Sequence, residues 1–167
     1  FPYTTLFRSM KIVVSASHSG TVTISRNTGG TTIATLESGV LSCRRLFYNA
    51  LADASGGSDR DYYEKVFVKN TNGTFAVLSA YIIENTDPST LVTFDIEDAK
   101  NDTNSVANRL DTAPTGMLGS FDNANKAVPG TDLGPSDAIG VWLKLTLVAG
   151  QSPNKSTWGV KLSGGIT

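Results

Sequence analysis

Few residues of this 167-residue sequence are of the types that usually perform catalysis. His18 is the single histidine and Cys43 the single cysteine. His18 lies in the stretch SASHSG with no carboxylate beside it, and neither a Gly-x-Ser-x-Gly elbow nor a cysteine–histidine signature accompanies the two residues. We therefore interpret His18 as a surface or turn residue and Cys43 as a small buried apolar side chain. The sequence predicts no catalytic residue and no enzymatic activity.

Acidic residues form two groups that could supply a cation site or paired catalytic carboxylates. One group is Asp53, Asp59 and Asp61, and the other is Asp95, Glu97, Asp98 and Asp102. Ca²⁺ takes several oxygen ligands, but neither group has the spacing of the twelve-residue calcium loop. A glycosidase needs two carboxylates that converge in a cleft lined with aromatic residues, and nothing local indicates one. We expect solvated loop charge, no metal and no cofactor, with a structural Ca²⁺ as the alternative.

Aromatic side chains could provide flat faces that stack on sugar rings. The candidates in strand-like segments are Tyr62, Tyr63, Phe67, Tyr81, Trp142 and Trp158. Phe67 and Trp142 fall opposite the main apolar residues of their segments, so we predict that these two are the exposed aromatic residues. The alternatives are cross-strand packing and, for Trp142, coverage by another element.

Composition limits the classes of partner. Lys and Arg total 14 against 15 Asp and Glu, so the net charge of -1 provides no overall field for a phosphate backbone. No apolar run approaches the roughly 18 to 20 residues that cross a bilayer. We predict neither a nucleic-acid partner nor a membrane partner. With 40% hydrophobic and 17% charged residues, the chain can bury enough apolar surface to fold.

Period-two alternation is clearest near the C-terminus. Every second residue from Ile139 to Leu147 is apolar, and the pattern resumes at Trp158, Val160 and Leu162 after the turn-rich stretch AGQSPNKS. We predict an antiparallel hairpin from these two segments. The segment YYEKVFVKNTNGTFAVLSAYI, residues 62–82, predicts a second hairpin with an Asn-rich tip.

Shorter alternating segments precede and follow that second hairpin, separated by stretches rich in Gly, Pro, Asn and Asp. They are TVTIS, TTIAT and LVTFDIE. Strands at this spacing predict an all-β fold, an antiparallel β-sandwich of Ig-like or jelly-roll-like type with long loops. Helix is limited to short turns, the best candidate lying near residues 49–53, and residues 119–137 are predicted to form a long surface connection.

The sequence divides into three segments. Residues 1–9, FPYTTLFRS, precede Met10 and resemble a translated sequencing-adaptor fragment, so we expect a non-native extension there. Residues 10–38 are predicted to be N-terminal strands or an assembly arm, and residues 39–167 a single β-sandwich domain.

The assembly-arm candidates are Ile12, Val13 and Val14. They form an apolar strand without a neighbouring hairpin partner in the sequence, so their backbone groups must pair elsewhere. Docking onto or swapping into another copy would satisfy them. Pairing within the same chain is the alternative.

Two ordered segments, NALADASGGSDRDYYEKVFVKNTNGTFAVLSAYII and LGPSDAIGVWLKLTLVAGQSPNKSTWGVKLSG, resemble tailed-bacteriophage and prophage virion proteins. The matching positions are Tyr63, Val68 to Thr71, Val141 to Lys144, Ala149 and Gly150, within a resemblance that covers about residues 49–163. The resemblance implies a non-enzymatic virion structural protein: a capsid-decoration, tail or fibre-associated subunit of an extracellular particle. Its implied partners are copies of itself and other virion proteins. A carbohydrate-binding or adhesive bacterial surface module, with a glycan partner, is the alternative.

Overall fold

The computed structural model describes residues 9–14, 21–25, 32–37, 40–43, 57–70, 74–86, 92–104, 106, 112–150 and 157–166. In this part of the chain every regular element is a strand, which confirms the predicted all-β class. The ten strands are β1 (Ser9–Val14), β2 (Thr21–Ser25), β3 (Thr32–Glu37), β4 (Val40–Cys43), β5 (Arg60–Lys69), β6 (Val77–Thr86), β7 (Val92–Lys100), β8 (Lys126–Ala127), β9 (Ala138–Leu147) and β10 (Thr157–Ile166). Within these ranges no helix is long and apolar enough to cross a membrane.

The strands form two five-stranded sheets. One has the order β4-β1-β10-β6-β8 and the other the order β3-β2-β5-β9-β7. Neighbouring strands are antiparallel, with the exception of the parallel pair β1 and β10. The helical turn predicted near residues 49–53 lies outside the described residues, as do residues 1–8.

The alternation that predicted β9 corresponds to one fully buried face of this strand. Val141 lies opposite Val66 of β5 and opposite Ile96 of β7, so three neighbouring strands bury apolar side chains in register. Each such side chain contributes about 1.5–3 kcal/mol when it is removed from water. The buried residues of this face are Val66, Val68, Val92, Phe94, Ile96, Ile139, Val141, Leu143, Leu145 and Leu147.

Both predicted hairpins are wrong, because consecutive strands lie in different sheets in every case except β2 and β3. β5 pairs with β2 and β9, so neither of its edges is open to β6. β10 pairs with β1 and β6 and not with β9. Turn residues show where a chain reverses, but they do not show which sheet the next strand joins.

The connection between β7 and β9 links the two sheets. Met117 bridges to Glu97 and Asp122 to Phe94, and later Leu133 bridges to Val77 of the other sheet. Residues 119–137 were predicted to form a surface connection, yet Leu133 is fully buried. This connection therefore contributes to the core.

The strand β5 is buried on both of its faces in its central part. Tyr63 and Lys65 point away from the apolar face formed with β9 and are nevertheless buried. Tyr63, Val106 and Trp142 form a second small core, against which Met117 and Phe121 pack. Val106, Met117 and Phe121 thus cover this second face, and the candidate site lies beside them.

Candidate functional site

The centre of the candidate site is Lys65, whose side chain is 2% exposed. Its Nζ donates hydrogen bonds to Glu97 Oε1 at 2.7 Å and to the backbone carbonyl of Asn104 at 3.0 Å. The same Nζ contacts Asp102 Oδ1. One lysine therefore meets two carboxylates in a space closed to solvent. We refer to Lys65, Glu97 and Asp102 as the buried triad.

Glu97 is held in place by donors on both of its oxygens. Trp142 Nε1 donates to Oε1 at 2.6 Å, and Asn104 Nδ2 donates to Oε2 at 2.8 Å. The Glu97 side chain is 0% exposed. Because Oε1 also accepts from Lys65, this carboxylate has a fixed orientation toward the lysine amine.

Asp102 is in a different position from Glu97. Its Oδ1 accepts from the Asn104 backbone amide at 3.0 Å, whereas its buried Oδ2 has no hydrogen-bond partner among the described residues. Burial raises the pKa of the Asp102 carboxyl above its ordinary value; Lys65 opposes this rise and Glu97 adds to it. Asp102 is therefore the carboxyl of the triad whose surroundings favour the protonated form.

Aromatic rings form the walls around the lysine amine. Nζ of Lys65 lies 4.7 Å from the ring centre of Phe67 and 5.1 Å from that of Trp142. Tyr63 and Phe121 close the neighbouring space, with ring centres 5.5 Å apart. The side chains of Lys65 and Glu97 are 2% and 0% exposed beside these rings. The low local dielectric of such a place strengthens the interactions among charges and disfavours isolated ones.

A glycine on β9 makes the close approach of the triad possible. A Cβ at Gly140 would lie 2.5 Å from Lys65 Cε, 2.7 Å from Asp102 Oδ2 and 2.8 Å from Glu97 Cγ. Such contacts are too short for any larger residue without displacement of the triad. A glycine inside a strand commonly marks a close approach of this kind.

An irregularity at the end of β7 places Asp102 over the sheet. The register shifts between Ile96 and Lys100, and Asn101 then adopts a left-handed φ of 59°. The Asn101 side chain donates to Asp137 Oδ1 and accepts from the backbone amide of Ala138. The chain consequently reverses at a fixed point and places Asp102 and Asn104 beside Lys65.

A second lysine lies between two carboxylates near the same sheet. Lys126 Nζ is 2.7 Å from Asp122 Oδ1 and 3.7 Å from Asp95 Oδ1, and it donates to the carbonyl of Ser120. The Asp122 side chain is 48% exposed. The hydrogen bond from Lys126 lowers the pKa of Asp122. We refer to Lys126, Asp95 and Asp122 as the rim cluster.

The predicted exposure of Trp142 is wrong, because its side chain is fully buried. The apolar cover of residues 106, 117 and 121 lies over this face, so the alternative of coverage by another element is the correct one. Phe67 is half-buried and borders the buried triad. Neither residue belongs to an exposed platform.

The arm candidates Ile12, Val13 and Val14 lie in β1 and pair within their own chain. Ile12 is opposite Leu41 on one side and Val160 on the other. Exchange of this strand between copies stays a prediction. The side chains of these residues and of Cys43 lie outside the described part of the structure, as does all of His18.

The acidic group that suggested a Ca²⁺ site is divided between two lysines. Glu97 and Asp102 contact Lys65, whereas Asp95 faces Lys126. Across the described ranges, no three His, Cys, Asp or Glu residues are grouped as metal ligands. The sequence interpretation missed Lys65 itself. Two features of the sequence could have indicated this buried lysine: its position inside the apolar run YYEKVFV, and the glycine inside β9.

The arrangement combines an amine, a carboxyl of raised pKa and a second, oriented carboxylate, all closed to solvent. Such groups can exchange protons and react with one another. Comparison of the chain with protein-family models, curated proteins and solved structures finds no match. The functional interpretation therefore depends on this geometry.

Proposed function

We propose that this chain is a non-enzymatic structural subunit of a virion, which acts through contacts with copies of itself and with other virion proteins. The two sheets, in this proposal, face one another as a sandwich. The resemblance to virion proteins over about residues 49–163 supports the role. Many copies of a subunit convert weak contacts into strong attachment by avidity.

The observation that carries the proposal is the difference between the two sides of the sheets. On one side the connection between β7 and β9 contains the short outer strand β8 and bridges to the outer strand β7 at Asp122 and to β6 of the other sheet at Leu133. On the other side the outer strands are β3 and β4, which approach each other. Outer strands present backbone donors and acceptors that pair readily with another chain. We assign the docking side to β3 and β4.

The closed state of the buried triad also favours a structural role. The side-chain exposures are 2% for Lys65, 0% for Glu97 and 5% for Asp102, so the three groups are turned toward one another and not toward solvent. The triad instead connects β5 to the end of β7 and to the residues that follow. A role in holding a covering segment onto a sheet fits this geometry better than turnover does.

Light scattering after size exclusion tests the proposal, with two proline variants of β3. Ala34 and Thr35 are consecutive, so their backbone N–H groups point to opposite edges of the strand. Proline at the residue whose N–H points to β2 removes a hydrogen-bond donor to that strand, so we expect it to lower the melting temperature. Proline at the residue whose N–H points away from β2 removes a donor on the outer edge of the sheet. We expect this variant to keep its stability but to lose self-association.

The proposal predicts multimers of the wild-type chain that the stable proline variant does not form. A wild-type chain that stays monomeric at every concentration and binds glycans would overturn it. That result would favour the carbohydrate-binding module instead.

A further inference from the structure

We propose that Lys65 and Asp102 are joined by an intramolecular amide bond between Lys65 Nζ and Asp102 Cγ, and that Glu97 transfers the proton in its formation. The bond would be an autocatalytic modification of the folded chain. It does not rest on the proposed function.

The geometry places the nucleophile against the electrophile. Nζ of Lys65 contacts Oδ1 of Asp102, while the Oε1 of Glu97 lies 2.7 Å from the same nitrogen. Trp142 and Asn104 fix the orientation of Glu97. Groups held in such contact react with effective molarities of about 10⁵–10⁸ M.

The reaction requires a neutral amine and a protonated carboxyl. In a dry pocket, a proton moves from the lysine ammonium to Asp102 because separate buried charges are disfavoured. Burial raises the pKa of Asp102, so the protonated carboxyl is more accessible here than at an exposed aspartate. The rings of Phe67 and Trp142 lie 4.7 and 5.1 Å from Lys65 Nζ and provide the apolar surroundings of the amine.

The bond forms without any external reagent. The neutral Lys65 amine attacks Asp102 Cγ, and a C–N bond forms. Glu97 accepts a proton from the nitrogen and delivers it to the departing hydroxyl. The C–O bond breaks and one water molecule leaves. The balance is one amine and one carboxylic acid consumed for one amide and one water, with Glu97 regenerated.

Two further features agree with this assignment. The Asp102 Oδ2 accepts no hydrogen bond from the described residues, so none of them holds this oxygen in place when it leaves as the hydroxyl group. Gly140 leaves space beside that oxygen and beside Lys65 Cε. After the reaction, Glu97 keeps the donors of Trp142 and Asn104, and the one remaining N–H of Lys65 Nζ can still donate to it. The product therefore leaves the second carboxylate with partners.

Intact-mass spectrometry of the denatured full chain tests the proposal directly. We expect the wild-type chain to be lighter than its sequence mass by one water, and a peptide map to show the peptide of Lys65 linked to that of Asp102. Lys65→Arg and Asp102→Ala remove one reacting group each, so both variants should have their full sequence mass. Glu97→Gln keeps the shape of the site but removes the proton acceptor, and it should also keep its sequence mass while circular dichroism shows a folded β protein.

Asp102→Asn gives the sharpest control. An amide at this position can react with Lys65 and release ammonia, so this variant and the wild type should converge on the same final mass. Lys126→Arg, in the rim cluster, should still lose one water. A folded wild-type chain at its full sequence mass, or a water loss that maps to residues other than Lys65 and Asp102, overturns the proposal.

Discussion

The buried triad and the rim cluster contain the same residue types, one lysine and two carboxylates, in different surroundings. In the buried triad Asp102 is 5% exposed, and burial raises its pKa. In the rim cluster Asp122 is 48% exposed, and the hydrogen bond from Lys126 lowers its pKa. Access to water thus decides whether burial raises the pKa of the aspartate or the hydrogen bond from the lysine lowers it.

The largest expected difference between the two regions follows from removal of the lysines. Lys65→Ala removes the cross-link and leaves Glu97 and Asp102 buried without their lysine partner, and loss of one partner of such a buried pair costs about 3–5 kcal/mol. Urea unfolding should show a fall of this size in the free energy of unfolding. Lys126→Ala should cost less, since water can reach Asp122 and the buried Asp95 keeps the backbone donors of Ile96 and Gly119. Equal losses in the two variants would contradict the distinction.

The next largest effect concerns the donor that orients Glu97. Trp142→Phe keeps an aromatic wall beside Lys65 but removes the Nε1–H that donates to Glu97 Oε1. Hydrogen bonds to charged groups contribute about 1.5–3 kcal/mol. We expect a destabilisation of this order in urea unfolding, together with slower loss of water by mass spectrometry. Tyr81→Phe, at an exposed aromatic residue of β6, is the matched control and should leave both quantities unchanged.

Substitution of the strand glycine tests how closely the triad must approach. Gly140→Ala places a Cβ within 2.5 to 2.8 Å of all three side chains of the triad. Overpacking of this kind costs about 1–3 kcal/mol. The melting temperature should fall and the fraction of cross-linked chain should decrease. Gly165→Ala is the control, because a Cβ there meets no atom within 4 Å. A Gly140→Ala chain that cross-links as fast as the wild type would show that the close approach is dispensable.

The smallest expected effect is the pH dependence of stability, and its sign differs between the regions. Asp122 has a lowered pKa in the folded chain, so the unfolded chain binds more protons as the pH falls. The stabilisation that ionised Asp122 gives the folded chain is therefore lost as the pH falls through its folded pKa. For such an exposed pair it should stay below about 1 kcal/mol. Unfolding midpoints of wild type and Asp122→Asn, measured from neutral to acid pH, should converge at low pH. Midpoints that differ equally at all pH values would refute the linkage.

Asp102 should behave in the opposite way wherever it remains a free carboxyl, as in Glu97→Gln. Its raised pKa means that the folded chain binds more protons above the ordinary value of 3.8. The stability of Glu97→Gln should therefore fall as the pH rises through that window. The wild type should lack this component, because an amide does not titrate.

The positions of several strands could be predicted from the sequence, but the pairing of the strands could not. Alternation between Ile139 and Leu147 predicted β9 to the residue at its C-terminal end and within one residue at its start. The sheet partners depend on contacts across the whole chain, so local turn residues predicted hairpins that do not form. β2 and β3 are the exception, since a short connection joins two neighbouring strands.

The candidate site was missed because alternation assigns a lysine to the solvent face. Lys65 lies on the face of β5 opposite Val66, and among the described residues Val106, Met117 and Phe121 make that face a second core. The sequence does not show this cover, because the turn at Asn101 and the register shift in β7 depend on contacts with distant residues. Gly140 was the available local signal.

The state of the Lys65 side-chain nitrogen tests the central claim most directly. Nuclear magnetic resonance of the folded, ¹⁵N- and ¹³C-labelled chain can correlate each lysine Nζ with its bonded neighbours. We predict that Lys65 Nζ carries a single proton, resonates as an amide and couples to Asp102 Cγ, whereas Lys126 Nζ resonates as an ammonium. A Lys65 Nζ that resonates as an ammonium in the folded wild-type chain would contradict the account.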